Sequence, residues 1–224
     1  RSSHFLNRVE NFFERASLPN PDRFYTDDSF ASDHYTELLC PEFRAQVDRD
    51  ASLDFMRGLY RTGETGGPLH RIMRLDLHMA IARNDIPKVH GATRSANVTT
   101  RFPLLDPKLV AFTGHLSERQ KVRGIKKRYL FKRAMKGILP EEILKKKKQG
   151  FGLPIAVWLR HDKDFQQNVR DVLFDGRAAR RGWWQPSFVE SLLAEHIRGS
   201  WDRAPELWRL FILELWLRRY IDAS

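Results

Sequence analysis

The chain has 224 residues, of which 42% are hydrophobic and 12% aromatic, enough to bury a core and to exclude a disordered chain. Its single cysteine, Cys40, excludes an intrachain disulfide and a four-cysteine zinc site, and no apolar run reaches the ~18 residues of a membrane span. With 39 Lys and Arg against 28 Asp and Glu the net charge is +11, which raises a polyanion, a small-anion site or a solvated basic face.

Helical periodicity dominates from the start of the chain. Phe5, Leu6, Val9, Phe12 and Phe13 share one face of a first helix that Pro19 and Pro21 end. Ser32, Tyr35, Leu38 and Leu39 mark a second, and Pro41 can open a third. Leu53, Met56, Leu59 and Tyr60 mark a fourth, followed by a Gly- and Thr-rich loop over Thr62 to Gly67. Leu69, Ile72, Met73, Leu77 and Ile81 predict a long amphipathic helix, and residues 98–105 read as irregular or extended. Asp106-Pro107 is a cap followed by Pro at the first helical position, opening a helix through Val110 and Phe112. Tyr129 to Ile138 reads as helix, Pro140-Glu141-Glu142 as the start of a short turn, and Gly150 to Pro154 as a loop. Helices follow near Pro154–Arg160, Phe165–Phe174 and Pro186–Arg198. The last runs from Pro205 to Tyr220, with Leu207, Trp208, Phe211, Ile212, Leu215 and Trp216 as its apolar face. The fold class is therefore all-α as given, with residues 1–67 as an N-terminal helical segment.

Several chemistries lack their signatures. There is no Gly-rich Lys-Ser/Thr phosphate loop and no His-Glu-x-x-His zinc motif. Gly63, Gly66 and Gly67 follow no strand, and His70 and His78 stand two helical turns apart, so neither a nucleotide loop nor a metal centre is expected. Cys40 beside Pro41 reads as a small buried hydrophobe. The cations cluster in Arg119 to Lys136, in Lys145 to Lys148, and at Arg177, Arg180 and Arg181. Aromatic residues fall at helical spacing beside Leu and Ile, which reads as core and counts against nucleic acid. The stretch Lys145 to Pro154, K-K-K-K-Q-G-F-G-L-P, sets an ammonium beside a turn where backbone approaches closely. Such a group neutralises a pyrophosphate, or the charge that develops when an acyl-adenylate collapses; the plain alternative is a solvated lysine run.

Four segments together resemble one family. They are Asp76-Leu77 through Lys88-Val89 to Arg101-Phe102-Pro103-Leu104-Leu105-Asp106; Arg128-Tyr129-Leu130-Phe131-Lys132 through Leu139-Pro140-Glu141-Glu142; Lys146-x-Lys148-Gln149-Gly150-Phe151-x-x-Pro154 with Trp158; and Glu195-His196, Gly199, Leu207-Trp208, Leu213-Glu214 and Trp216. In order and spacing they are similar to the synthetase domain of the glutamine-dependent asparagine synthetases, over roughly residues 68–220. The resemblance implies that residues 68–224 are the C-terminal helical portion of an α/β adenine-nucleotide α-hydrolase-like domain of the PP-loop ATP pyrophosphatase type. It implies an ATP-dependent amide-forming ligase: ATP activates a carboxylate, aspartate in the family, as an acyl-adenylate, and ammonia from a glutaminase domain displaces AMP. ATP and Mg2+ would be bound mainly by a Ser-Gly-Gly-x-Asp-Ser loop and an acidic-glycine loop, neither of which this sequence contains. The expectation is a chain that starts inside a longer product or after processing and is inactive alone. Its partners would be the glutaminase and ATP-loop portions of the same enzyme, fused or separate, with a homodimer left open, no membrane contact and a cytoplasmic location.

Residue by residue, the family's phosphate- and intermediate-contacting lysine falls on Lys148, the expected catalytic group. Lys146, Gly150 and Phe151 would form its loop, and Lys88, Arg101 and Asp106 a structural or substrate-side scaffold. The motif Arg of the family is Lys146 here, which keeps charge but loses the bidentate fork. The family's Asp-Arg pair is His90-Gly91, its Glu two positions before the motif Arg is Thr99, and the Asp before that motif is Asn84. The acyl substrate is therefore left open, and relatives that amidate polysaccharides, cyclise lasso peptides or close β-lactams fit the same pattern. A basic helical nucleic-acid-binding module and a catalytically silent remnant are the rival readings.

Overall fold

A computed structural model describes residues 12–26, 29–62, 66–147 and 152–222. The described residues are mostly helical, as the periodicity predicts. They divide into two compact units, Arg1–Arg23 with Asp54–Gln149, and Phe24–Leu53 with Gly150–Ser224. Gly67, the expected boundary, lies inside the first of these.

In the first unit the helix Pro68–Asp76 opens on Gly67, where a side chain would run into the Glu118 carboxylate. That carboxylate accepts the Leu69 backbone N–H at 2.8 Å, and His70 Nε2 meets the Leu116 carbonyl at 2.8 Å. The expected helix over Leu69–Ile81 does not stop there. It continues as a π-helical stretch, Leu77–Asp85, and then as the helix Ile86–Ser95. Pro87 supplies the reason: its ring crowds the carbonyl four residues back, so the ladder widens, and the Ile86 N–H reaches the Ile81 carbonyl instead. Farther on, Val122–Arg123 and Lys126–Lys127 form an antiparallel hairpin around Gly124 at φ +58°, a feature absent from the sequence reading. The helix expected to reach Ile138 is Tyr129–Ala134, and Gly137 at φ +83° lets the chain turn away behind it. Between Asp54 and Lys147 only Met56 and Leu75 are buried hydrophobics among the described residues, while Leu104, Phe112 and Ile138 are exposed.

The second unit has a true core. Leu159, Val169, Leu173, Val189, Leu192, Leu193, Leu207, Leu210 and Phe211 pack from the helices Ile155–His161, Lys163–Leu173, Pro186–Arg198 and Ala204–Tyr220. Carboxylate caps start two of its helices: Asp162 accepts from Phe165 N at 3.0 Å, and Asp175 accepts from Arg177 N at 3.0 Å to open the unforeseen helix Gly176–Arg181. Gly199, at φ +76°, closes the helix Pro186–Arg198. Residues 39–40 lie antiparallel to 183–184, with Cys40 N–H donating to the Trp183 carbonyl at 3.0 Å; Cys40 is half-buried rather than fully buried.

The last helix corrects the expected apolar face. Its buried stripe is Ala204, Leu207, Leu210, Phe211, Glu214 and Leu217, while Ile212 and Leu215 are exposed and Trp216 is 50% exposed. Trp208 packs beside Phe165 and Phe211, with ring centroids 6.5 and 5.7 Å away, whereas among the described residues Trp216 pairs only with Tyr220, at 5.6 Å. Trp216 is two residues, about 200°, beyond Glu214 on a 3.6-residue helix, and so points to the other side.

Candidate functional site

The lysine run leaves a short helix, Glu141–Lys145, whose two acidic residues lie in its first turn and favour the positive end of the helix dipole. Lys145 Nζ reaches back one turn to Glu141 Oε2 at 2.7 Å. That bond raises the Lys145 ammonium and lowers the Glu141 carboxyl from their usual values. Lys145 is thus held against its own helix. Lys146 takes an extended conformation (φ −54°, ψ 130°), and it and Lys147 are exposed with no ion pair among the described residues. Lys148, Gly150 and Phe151, the expected catalytic group and its loop, lie outside the described residues.

The expected scaffold residues take local roles. Lys88 pairs with Asp85 at 2.8 Å, both exposed. Asp106 caps the helix Pro107–His115, its Oδ1 accepting from Lys108 N at 2.9 Å and Leu109 N at 3.2 Å. Arg101 is exposed. No bond among the described residues joins Lys88, Arg101, Asp106 and Lys146. His90, one of the positions at which the resemblance implies a charged residue, has its Nδ1 3.3 Å from the Thr100 Oγ1; Thr100 itself is next to Thr99, another such position.

Cations dominate the segment before the lysine run. Arg123 donates to the Tyr129 hydroxyl at 2.7 Å, and Arg123 and Arg133 stand over the Tyr129 ring at 5.3 and 5.8 Å. The Arg123 hydrogen bond, reinforced by Arg133, lowers the phenol's pKa from its usual value. Burial pushes the nearby Lys121 ammonium down.

Two residues named above only as part of the family resemblance, His196 and Glu214, are fully buried polar groups. His196 is fully buried; its Nδ1 faces Arg203 N–H at 3.2 Å and its Nε2 the Ala156 carbonyl at 3.0 Å. Glu214 is fully buried between Arg181 and Arg218. The available signal was a charged residue inside an apolar helix.

The asparagine synthase family model matches residues 7–218, and the chain belongs to that family. A glutamine-hydrolysing asparagine synthetase of Bacillus subtilis is 21% identical over 93% of the chain, and covers with it 32% of its own length. Proteins of Mycobacterium bovis and Mycobacterium tuberculosis, provisionally named as glutamine-hydrolysing asparagine synthetases, are 27% identical over 97% of the chain and 32% of their own length. The chain thus spans about a third of the length of these relatives. No solved structure gives a significant match. No helix among the described residues is long and apolar enough to cross a membrane.

Proposed function

We propose that this chain is the helical portion of an ATP-dependent amide-forming ligase. The observation that carries the reading is the family match across 7–218. In the proposed reaction a carboxylate oxygen attacks the α-phosphorus of ATP and pyrophosphate leaves. A nitrogen nucleophile, ammonia released from glutamine, then attacks the acyl carbon and AMP leaves. The chain's own contribution is a cation placed where charge builds up. Lys148 is assigned that role, with Gly150 and Phe151 as its expected loop neighbours and Lys146 as a second cation. Lys145, which pairs with Glu141 at 2.7 Å, is not given this role. Bound Mg2+ would neutralise the triphosphate. Among the described residues no group of three His, Cys, Asp or Glu side chains could hold a metal ion, so no ligand of Mg2+ is assigned here. The exposed Leu104, Phe112 and Ile138 support an ATP-loop portion packing on the first unit.

The test is nucleotide turnover by the full-length protein with ATP, aspartate and either glutamine or ammonia. AMP and pyrophosphate formed only with the carboxylate present support the reading; ADP with phosphate, or no turnover with any carboxylate, contradicts it. A second reading, a different acyl substrate, draws on the His90–Thr100 contact and on Thr99. It expects turnover with another carboxylate and none with aspartate.

A further inference from the structure

Between Glu118 and Glu141 the chain carries nine Lys and Arg and no carboxylate, so this stretch holds +9 of the net +11. Of the carboxylates, only the flanking Glu118, near Lys121, and Glu141, near Lys136, act on it electrostatically among the described residues. Among the described residues none of the nine forms a salt bridge, and Arg119, Arg123, Lys126, Lys127, Arg128, Arg133 and Lys136 are all exposed. The hairpin register even sets Arg123 directly opposite Lys126, a cross-strand like-charge pair that works against the hairpin. Arg128, a non-glycine residue, sits in the left-handed region at φ 57°, at the junction with the next helix. Two local rules are broken together; Tyr129 engages Arg123, but among the described residues the Lys126 and Lys127 side chains have no hydrogen-bond or ion-pair partner, which fits a surface completed by a ligand. The aromatic residues here are not core, contrary to the sequence expectation: Phe131 is 47% exposed, and Tyr129 is clasped by two arginines.

We infer that the helix–hairpin–helix from Glu118 to Lys136 is a binding surface for the phosphate backbone of a nucleic acid, read without sequence preference. Successive phosphates relieve the Arg123–Lys126 repulsion, and Phe131 offers an exposed ring for a base to stack upon. An anionic lipid surface fits less well, because the fully exposed apolar tip of the hairpin is one aliphatic side chain, Ile125. This surface is independent of the ligase reading.

The experiment measures anisotropy of a fluorescein-labelled 20-nucleotide single-stranded RNA of mixed sequence against salt, using the chain described here. Six phosphate contacts give a slope of log K against log salt of about −4. The variant Arg123→Gln/Lys126→Gln/Lys127→Gln should bring the slope to about −2 while folding as well as the parent, judged by circular dichroism. A control of equal charge loss in the second unit, Arg177→Gln/Arg180→Gln/Arg198→Gln, should leave binding unchanged. Absence of RNA binding at 50 mM salt would overturn the inference. So would equal weakening by the two variants, or capture by phosphatidylserine vesicles that RNA does not compete away.

Discussion

Arg181 grips Glu214 through two nitrogens, Nε to Oε2 at 3.1 Å and Nη2 to Oε1 at 3.3 Å, where the carboxylate has no contact with water. The same guanidinium holds Asp222 at 3.0 and 2.8 Å, and Arg218 reaches Glu214 at 2.9 Å and Asp175 at 2.8 Å. The network ties the last helix to the helix Gly176–Arg181 and to the cap before it. Glu214→Leu leaves two largely buried guanidinium groups short of a counter-charge. The expected loss is about 3–5 kcal/mol of stability, read by urea denaturation. A loss below ~1 kcal/mol would show that water already reaches the site.

Acid should loosen the same corner. The Arg181 hydrogen bond holds the Asp222 carboxyl below its ordinary 3.8. A carboxyl depressed in the folded state stabilises above its unfolded value and loses that contribution as pH falls through the folded one. The denaturation midpoint should therefore fall as pH drops below about 4, and Asp222→Asn should flatten that part of the curve. An unchanged acid limb in Asp222→Asn would remove Asp222 from the account.

His196 fixes its own tautomer. Arg203 N–H must donate to Nδ1, so Nε2 carries the proton and donates to the Ala156 carbonyl. His196→Phe keeps bulk but leaves the Arg203 N–H without its acceptor and takes one bond from the Ala156 carbonyl, which lies within the helix Ile155–His161, at a cost of about 1–3 kcal/mol. His196→Asn should recover part of this if one of the two bonds re-forms; equal losses for both variants would point to packing alone.

Asp106 distinguishes a cap from a substrate contact. Asp106→Ala should cost about 1 kcal/mol, and Asp106→Ser should restore most of it, as a cap requires. A stable Asp106→Ser variant with strongly reduced turnover in the full-length protein would assign Asp106 to the substrate side.

Legibility in the sequence followed the range of the cause. Local chemistry was readable: Asp106-Pro107 announced a capped helix, and alternation at 3.6 residues placed the helices Lys163–Leu173 and Pro186–Arg198 within a few residues. The π-helical stretch was less so, because its cause, Pro87, lies beyond the residues it distorts. The hairpin at Val122–Lys127 has cations where strands usually carry β-branched residues, so no alternation betrayed it. Trp216 was misplaced because the last helix is apolar nearly all round, and only the buried charge at Glu214 reveals which face turns inward. Of the candidate site, Lys148, Gly150 and Phe151 lie outside the described residues, and Lys88, Arg101 and Asp106 make local contacts or none rather than joining one another; the Lys145–Glu141 bond depends on a side-chain rotamer that the lysine run alone does not specify.

The central claim rests on Lys148 differing from its neighbours in the lysine run. The direct measurement is pyrophosphate release by the full-length protein carrying Lys148→Ala, beside Lys145→Ala. Lys145 is held by Glu141 at 2.7 Å, so its loss should change turnover little. Loss of Lys148 should lower turnover by about 10²–10³, by analogy with the removal of one preorganised charge-stabilising donor, with a smaller effect on ATP affinity. Equal and small effects of the two substitutions would contradict the account and return the run to a solvated basic turn.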